Sequence, residues 1–294
     1  DLHSFPTRRS SDLHIVQDAG GGTVIEPGPT LSRGALQDFA STALVGRYVH
    51  HGTDVTLGAL TTARLNDDDS RNVVVGLDAN WAPSTSDRVS AQLLRSDTLN
   101  PERADLLDSW NGQRLVGTAG SLDWVHLADA WYGTLTAQSL SRGFRAWNGF
   151  VAQVDVSSVS ATAGLYFYPR DSMLIRISPA VSLSHAETTS GERVSRRVAP
   201  ALNIQAARDT QLRITWSPKE EGATPFGIRA FDSLSVSLSS TPFAWMPRAS
   251  LSLATGEALD LATGEVNDAR TARVTVPVRL HRLDFLYGDR KSVV

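Results

Sequence analysis

The stretch Asn72–Trp81, NVVVGLDANW, decides how the chain reads. Val73, Val75, Leu77, Ala79 and Trp81 fall on one face of an extended strand, with Val74, Gly76, Asp78 and Asn80 on the other. Strict alternation over that length is a strand signal, because a helix would need apolar residues three and four apart. The same pattern recurs on both sides. Val55–Leu65 sets Val55, Leu57, Ala59, Thr61, Ala63 and Leu65 against Thr56, Gly58, Leu60, Thr62 and Arg64. Val159–Phe167 and Ile175–Leu183 alternate in the same way, as do the runs through Leu234–Leu238, Ala249–Leu253 and Val274–Leu280. Thr42–His50, Val89–Ser96, Arg114–His126, Trp131–Ser139, Gly149–Val156, Val194–Gln205 and Gln211–Trp216 complete a set of about fourteen strands, and no segment carries a helical stripe.

Many of these runs reach nine residues or more, longer than the usual soluble strand of about 5–6 residues and within the roughly 9–11 that cross a bilayer. Their polar face is made of Ser, Thr, Gly, Asn and Gln with occasional Arg, whereas a soluble sandwich loads its solvent face with Lys, Glu and Asp. Charged residues make up only 20% of the chain, so the polar face suits a water-filled or plugged lumen opposite a lipid-facing band. Trp81, Trp124, Trp131, Tyr168, Trp216, Trp245 and Tyr287 stand near strand ends, where interfacial girdles place aromatics. Short links at His51–Thr53, Pro83–Asp87, Ala128–Ala130, Pro169–Ser172, Ala207–Asp209 and Ser240–Phe243 alternate with longer ones at Asn66–Arg71, Asp97–Gly112, Leu140–Asn148, Ala186–Arg193, Ser217–Arg229 and Ala254–Thr271. The alternation requires Gly149–Phe167 to be a single span, with a bulge at Ser157-Ser158 where the apolar face changes parity. Pro179, Pro200, Pro247 and Pro277 inside expected strands count against continuous ladders.

The ends have another origin. Asp1–Leu13 back-translates to a standard sequencing-adapter oligonucleotide, and Asp289–Val294 back-translates to the reverse complement of part of it. The expected organisation is therefore an adapter-derived segment at 1–13, a strand remnant and loop at 14–41, a β-barrel fragment at 42–288, and a second adapter-derived segment at 289–294. His14-Ile15-Val16 would close an upward strand, Asp18–Ser41 would form an external loop, and Tyr287 would end a strand on the periplasmic side. The native chain is expected to continue in both directions.

The 294 residues carry 28 Lys+Arg against 31 Asp+Glu, a net charge of −3 that provides no basic footprint for nucleic acid. The absence of cysteine excludes disulfides, thiolate metal sites and a cysteine nucleophile. His14, His50, His51, His126, His185 and His281 form no metal-binding motif, and adjacent His50-His51 would point to opposite faces of a strand. Asp67-Asp68-Asp69 lacks the glycine and final glutamate of a calcium loop and reads as a solvated turn. Gly20-Gly21-Gly22 has no phosphate-loop context and reads as a flexible link. No nucleophile elbow is present, so the chain shows no catalytic constellation and calls for no cofactor. Alternation turns five charges inward, Asp78, Asp123, Arg176, Arg213 and Arg279, where they would set the field of a lumen. Two copies of Ala-Thr-Gly-Glu place Glu257, Asp260, Glu265 and Asp268 on an acidic surface loop able to meet a cation or a sugar.

Thr56–Leu65 TLGALTTARL, Asn72–Trp81, the Ser-Asp-Thr at Ser96–Thr98 and Gly143–Asp155 GFRAWNGFVAQVD occur in an order that resembles an uncharacterised bacterial outer-membrane β-barrel domain, of the type that follows a family-9-like carbohydrate-binding domain. The resemblance spans most of Thr42–Tyr287. It departs from the family at Phe144-Arg145-Ala146-Trp147-Asn148, where relatives carry Phe-Asn-Pro-Glu. It implies location in the bacterial outer membrane, contact with outer-membrane lipid, and oligo- or polysaccharide handling through an upstream domain, and it supplies no catalytic residue. The reading is an all-β, antiparallel up-and-down transmembrane β-barrel, incomplete, with about 13–14 strands in the fragment. Its expected role is a porin-like or anchoring module in surface carbohydrate binding or uptake. The alternative is a soluble all-β carbohydrate-active, hydrolase-like domain.

Overall fold

The computed structural model describes residues 9–18, 23–27, 33–36, 40–105, 107–149, 151–170, 172–223, 226–243, 245–260, 263–280 and 283–293. Nineteen strands occur among them. In the N-terminal part these are β1 (Arg9–Asp18), β2 (Thr23–Glu26), β3 (Arg33–Leu36), β4 (Ser41–His51), β5 (Val55–Asn66), β6 (Arg71–Trp81), β7 (Asp87–Leu99), β8 (Arg114–Leu127), β9 (Trp131–Leu140) and β10 (Val156–Leu165). There follow β11 (Leu174–Thr188), β12 (Arg193–Ala206), β13 (Thr210–Trp216), β14 (Lys219–Ala223), β15 (Gly227–Phe231), β16 (Ser233–Ser240), β17 (Ala249–Leu259), β18 (Val266–Leu280) and β19 (Leu283–Val293). The described residues contain no helix, as the alternation requires.

Seventeen of the strands belong to one sheet, and β2 and β3 form a separate hairpin. β13 with β14, and β15 with β16, are continuous runs interrupted at Ser217-Pro218 and at Asp232, where Ser217 and Ser233 exchange main-chain hydrogen bonds of 2.8 and 3.3 Å. Counted that way, the sheet is fifteen antiparallel runs in up-and-down order. The fold class expected from the alternation, all-β and antiparallel, is the one observed. The chain divides into two compact units: Asp1–Val125 with Leu135–Val159 and Glu187–Glu192, and His126–Thr134 with Ser160–Ala186 and Arg193–Val294.

In the first unit, β1 pairs with β4, β4 with β5, β5 with β6 and β6 with β7. The registers align the faces read from the sequence. Ala59, Leu77 and Leu93 form one outward row, and Arg64, Asn72 and Thr98 form one inward row. Outward Leu77 and Leu93 are 66% and 70% exposed, although no charged side chain interrupts the apolar row they share with Ala59. Towards the loop end of the same face the residues become charged: Arg71, Arg95, Asp97 and Arg114, with Arg114 Nε donating to Asp97 Oδ1 at 2.9 Å.

In the second unit, β12 pairs with β13, β13 with β16, β16 with β17, β17 with β18 and β18 with β19. Ile214, Val236 and Leu253 line up outward, while Asn203, Arg213, Ser237 and Ser252 line up inward. Arg208 and Asp209 both take positive φ (60° and 51°) in the tight turn between β12 and β13, the geometry that matches the twist of a hairpin.

The aromatics at the turn ends of the strands are solvent-facing. Trp81, Trp131, Phe167, Tyr168, Phe243 and Trp245 are all exposed, and Phe243 stacks on Trp245 at 5.3 Å. Trp124 is half-buried and donates to Asp87 Oδ1 at 3.2 Å. Trp216 is exposed at the opposite end of its strand and donates to Asp232 Oδ2 at 2.9 Å.

Several expectations need correction. Gly149–Phe167 is not one span with a bulge at Ser157-Ser158: β10 begins at Val156, and the residues before it belong to a loop. Their apolar alternation arises from folding against the sheet, described below. Ser217–Arg229 is not a loop but contains the β14–β15 hairpin, which lacks an apolar face and so gave no alternation. Ala254–Thr271 is mostly strand, since β17 and β18 stay paired as far as Leu259 and Val266 through polar residues. The link lengths therefore alternate less than expected. Asp18–Ser41 holds the β2–β3 hairpin. Tyr287 does not end a strand; its backbone lies within β19 opposite Val276. Pro179, Pro200 and Pro277 sit in strands, but Pro247 lies in the turn before β17, where its carbonyl accepts from Thr241 Oγ1 at 2.7 Å. Arg9–Leu13 and Asp289–Val293 continue β1 and β19, since ladder bonds between main chains do not depend on side-chain identity. Gly20–Gly22 and His281 lie outside the described residues.

In each unit the residues that alternation turns outward lie on an accessible face of the strands. Leu77, Val159, Leu165, Leu183, Leu234 and Leu253 are exposed, with Val73 and Ile177 half-buried. If that face meets lipid, Leu77→Arg should cost about 2–4 kcal/mol of folding free energy in vesicles, and Asn80→Arg on the opposite face far less. The check is equilibrium unfolding from vesicles by tryptophan fluorescence; equal losses at the two positions would contradict the assignment.

Candidate functional site

The inward face of the first unit is covered by its own loop. Residues 141–155, between β9 and β10, lie against β5, β6, β7 and β8. Phe144 and Val154 pack on Val74, an apolar residue on an otherwise polar strand face, with Leu94, Ala119 and Leu140 around them. A Cβ at Gly117 would collide with the backbone of Phe144, so the glycine is what lets the loop approach β8.

Asn72 holds the loop by its main chain. Its side chain is fully buried; Nδ2 donates to Thr98 Oγ1 at 2.8 Å and to the Arg145 carbonyl at 3.0 Å, and Oδ1 accepts from the Trp147 N–H at 3.0 Å. Arg145 N–H donates to Ser96 Oγ at 3.1 Å, and Asn148 Nδ2 donates to the Ala63 carbonyl at 2.9 Å. The buried Arg145 guanidinium turns back on its own loop and donates to the Arg142 and Phe144 carbonyls at 2.9 and 2.8 Å. Every polar function of Asn72 is used, which fixes the loop in one place. The three stretches Asn72–Trp81, Ser96–Thr98 and Gly143–Asp155 thus meet at one buried junction.

The inward charges fall into two groups. In the first unit both carboxylates are engaged. Asp78 Oδ1 accepts from Arg47 Nη2 at 2.9 Å, and its carboxylate lies over Gly58, where a Cβ would clash with it. Asp123 Oδ1 accepts from Thr136 Oγ1 at 2.8 Å. In the second unit Arg176 and Arg213 line one cavity of about 520 Å³, and they are joined there by Arg248, which the sequence reading missed. Arg248 lies just before β17, and the alternating run was counted only from Ala249, so alternation gave it no face. The Arg176 guanidinium sits 4.7 Å above the Tyr166 ring, and Tyr166 stacks on Tyr132 at 5.0 Å. Gly164 leaves the space that the Tyr132 ring occupies. Arg279 does not join this group; it lies one residue from the end of β18, with its N–H on the Trp245 carbonyl at 2.8 Å.

The four acidic residues expected on one surface loop are spread over three elements. Glu257 is in β17 and lines a separate cavity of about 410 Å³ with Arg196, Arg197, Lys219 and Glu220. Asp268 faces Glu257 across the ladder in β18. Only Asp260 and Glu265 stand in the turn, closed by the Asp260 N–H on the Glu265 carbonyl at 2.9 Å. No three His, Asp or Glu among the described residues gather in a way that would hold a metal ion. Asp67–Asp69 is a turn in which Asp68 Oδ1 accepts from the Ser70 N–H at 3.1 Å. In the loop between β7 and β8, Trp110 is buried, and Arg103 Nε and Nη2 bind Asp105 at 2.9 and 3.0 Å, which lowers the Asp105 carboxyl below the usual carboxylate range.

No protein-family model and no curated protein sequence matches the chain. Among solved structures it is similar to Acinetobacter baumannii OccAB3, with a TM-score of 0.48, 7% identity, and coverage of 97% of this chain and 94% of that one. It is also similar to Acinetobacter baumannii OccAB4, with a TM-score of 0.46, 11% identity, and coverage of 97% and 92%.

Removing the Asn72 side chain should free the loop. Asn72→Ala strands the Trp147 N–H and the Arg145 carbonyl in a buried place, at about 1–3 kcal/mol for each unpaired group. We expect trypsin to cut after Arg145 in Asn72→Ala under conditions where the parent chain resists. Asn80→Ala, which loses only an exposed bond to Ser90, should remain resistant. Mass spectrometry of the fragments reads the difference.

Proposed function

We propose that the chain is a module of an outer-membrane β-barrel, porin-like or anchoring, that works in surface carbohydrate binding or uptake. The observation that carries this reading is the inverted distribution of apolar side chains. The buried hydrophobic residues are few among the described residues and cluster at the loops, as with Val74, Phe144, Val154, Leu107 and Trp110. The large exposed ones run along the outward face of strand after strand: Val55, Leu57, Val75, Leu77, Leu93, Val159, Leu165, Leu183, Leu234 and Leu253. In water an apolar surface of that extent would drive aggregation, and a bilayer is the solvent in which it is stable. The exposed aromatics at the turn ends and the charged residues at the loop ends of β6, β7 and β8 bracket the apolar stretch as an interface would. Carbohydrate as cargo rests on the resemblance of Asn72–Trp81 and Gly143–Asp155 to a barrel domain that follows a carbohydrate-binding domain.

Two measurements test the reading. A barrel requires detergent or lipid to remain monodisperse, whereas a soluble carbohydrate-active domain would be monodisperse without either. The topology is tested on intact cells. An epitope inserted after Asp105 or after Thr263 should be reached by antibody from outside, and one inserted after Ser84 only after permeabilisation. Equal labelling at all three sites would refute the arrangement.

A further inference from the structure

We propose that the cavity lined by Arg176, Arg213 and Arg248 is a binding site for an acidic oligosaccharide, a glycan bearing carboxylates on its sugar rings. The inference rests on the reading of the module as a carbohydrate-handling one and names the class of sugar. Three arginines line a space of about 520 Å³, and no Asp or Glu lines it among the described residues. Guanidinium stays charged at any physiological pH, so the cavity holds a fixed positive field with no compensating group among its lining residues. Asp78, in the other unit, has its arginine within 2.9 Å, so this protein does pair inward charges elsewhere. Among the described residues the Arg176 guanidinium rests on an aromatic face, 4.7 Å from the Tyr166 centroid, and Arg248 Nη2 donates to Ser239 Oγ at 3.3 Å, so the edge donors of Arg176 are left for a ligand.

The remaining lining matches the rest of such a ligand. Tyr132 and Tyr166, stacked at 5.0 Å with an interplanar angle of 25°, line the same cavity and give it an aromatic wall beside the Arg176 guanidinium, apolar surface that the C–H groups of a sugar can meet. Asn203, Gln205 and Gln211 provide both donors and acceptors for hydroxyl groups. Asn203 is held by its own bond to the Ser178 carbonyl at 3.4 Å, which keeps its amide turned towards the cavity. A small inorganic anion would use the arginines and leave the tyrosine pair and the amides unused. A neutral glycan would leave the three charges unmatched.

The test is equilibrium binding by calorimetry to the full protein in detergent, with trigalacturonate, maltotriose and acetate as probes. Trigalacturonate should bind at least about tenfold more tightly than either of the others, with affinity falling as salt rises. Arg213→Gln and Arg176→Gln should each weaken trigalacturonate about tenfold and leave maltotriose unchanged. Tyr166→Ala should weaken the trisaccharides and leave acetate unchanged. Arg279→Gln, outside the cavity, should alter none of them, and near-native circular dichroism confirms that each variant is folded. Equal affinity for trigalacturonate and maltotriose, or loss of trigalacturonate binding in Arg279→Gln alone, would overturn the assignment. Acetate binding as tightly as trigalacturonate would reduce the site to a plain anion site and overturn its carbohydrate part. A protein monodisperse without detergent that still bound trigalacturonate would refute the membrane module and support this site, so the two proposals fail separately.

Discussion

The structure depends on a single requirement, that each strand satisfy its main-chain hydrogen bonds with its neighbours. With no helix among the described residues to cover either face, the sheet has no helical layer against which to bury a core. Each residue then has only the choice of two faces, and the period of two becomes the whole code. This is why registers such as Ala59–Leu77–Leu93 and Arg64–Asn72–Thr98 stay in phase across β5, β6 and β7. A slip of one residue would send Leu77 to the polar face and Asp78 to the apolar one. The exposed apolar rows and the polar inner rows are therefore one fact seen from two sides.

The loop of residues 141–155 is the exception that the ladder cannot supply. It brings tertiary packing to a sheet that otherwise has little, and its anchor is chemical rather than bulky. Through a single amide Asn72 meets two acceptors, Thr98 Oγ1 and the Arg145 carbonyl, and one donor, the Trp147 N–H. An apolar side chain there could fill the space but would leave the Trp147 N–H and the Arg145 carbonyl unpaired. Val74, two residues on, supplies the hydrophobic half of the same contact. β6 therefore carries an outward apolar face and, on its other face, a docking pair for the loop.

Much of this was legible in the residues. The strands β4 to β9 and β11 to β13 follow the alternation closely, because each has one apolar and one polar face. The β14–β15 hairpin was hidden, since Lys219-Glu220-Glu221-Gly222 has no apolar face to count. Gly149–Val156 misled for the opposite reason: Val154 is spaced from Val156 as in a strand but is buried against the sheet from a loop, and only Val156 belongs to β10. Two signals pointed to that outcome, the change of parity at Ser157-Ser158 and the presence of Val74 on a polar face. Of the five inward charges, Arg213 lies mid-way along β13 and Arg176 near the start of β11, and the two share a cavity. Arg279 falls near the end of β18, where a strand face no longer fixes which residues are neighbours. Arg248 joined the cavity from a turn, and turns carry no period.

The two units use the same inward alternation to different electrostatic ends. In the first, Arg47 and Asp78 cancel, and the Asp78 side chain is only 11% exposed. A carboxylate so little exposed needs that partner, because an unpaired charge away from water costs free energy. In the second, Arg213 and Arg248 are exposed. Exposed guanidinium groups keep most of their hydration and need no partner to remain charged, so the sheet can hold them there at little cost to its stability. Charge that the fold does not need for its own stability is free to act on whatever enters the space in front of it. Exposure thus sets Arg213 and Arg248 apart from Asp78, while Arg176, half-buried as Asp78 is, rests its guanidinium on the Tyr166 ring instead of on a carboxylate.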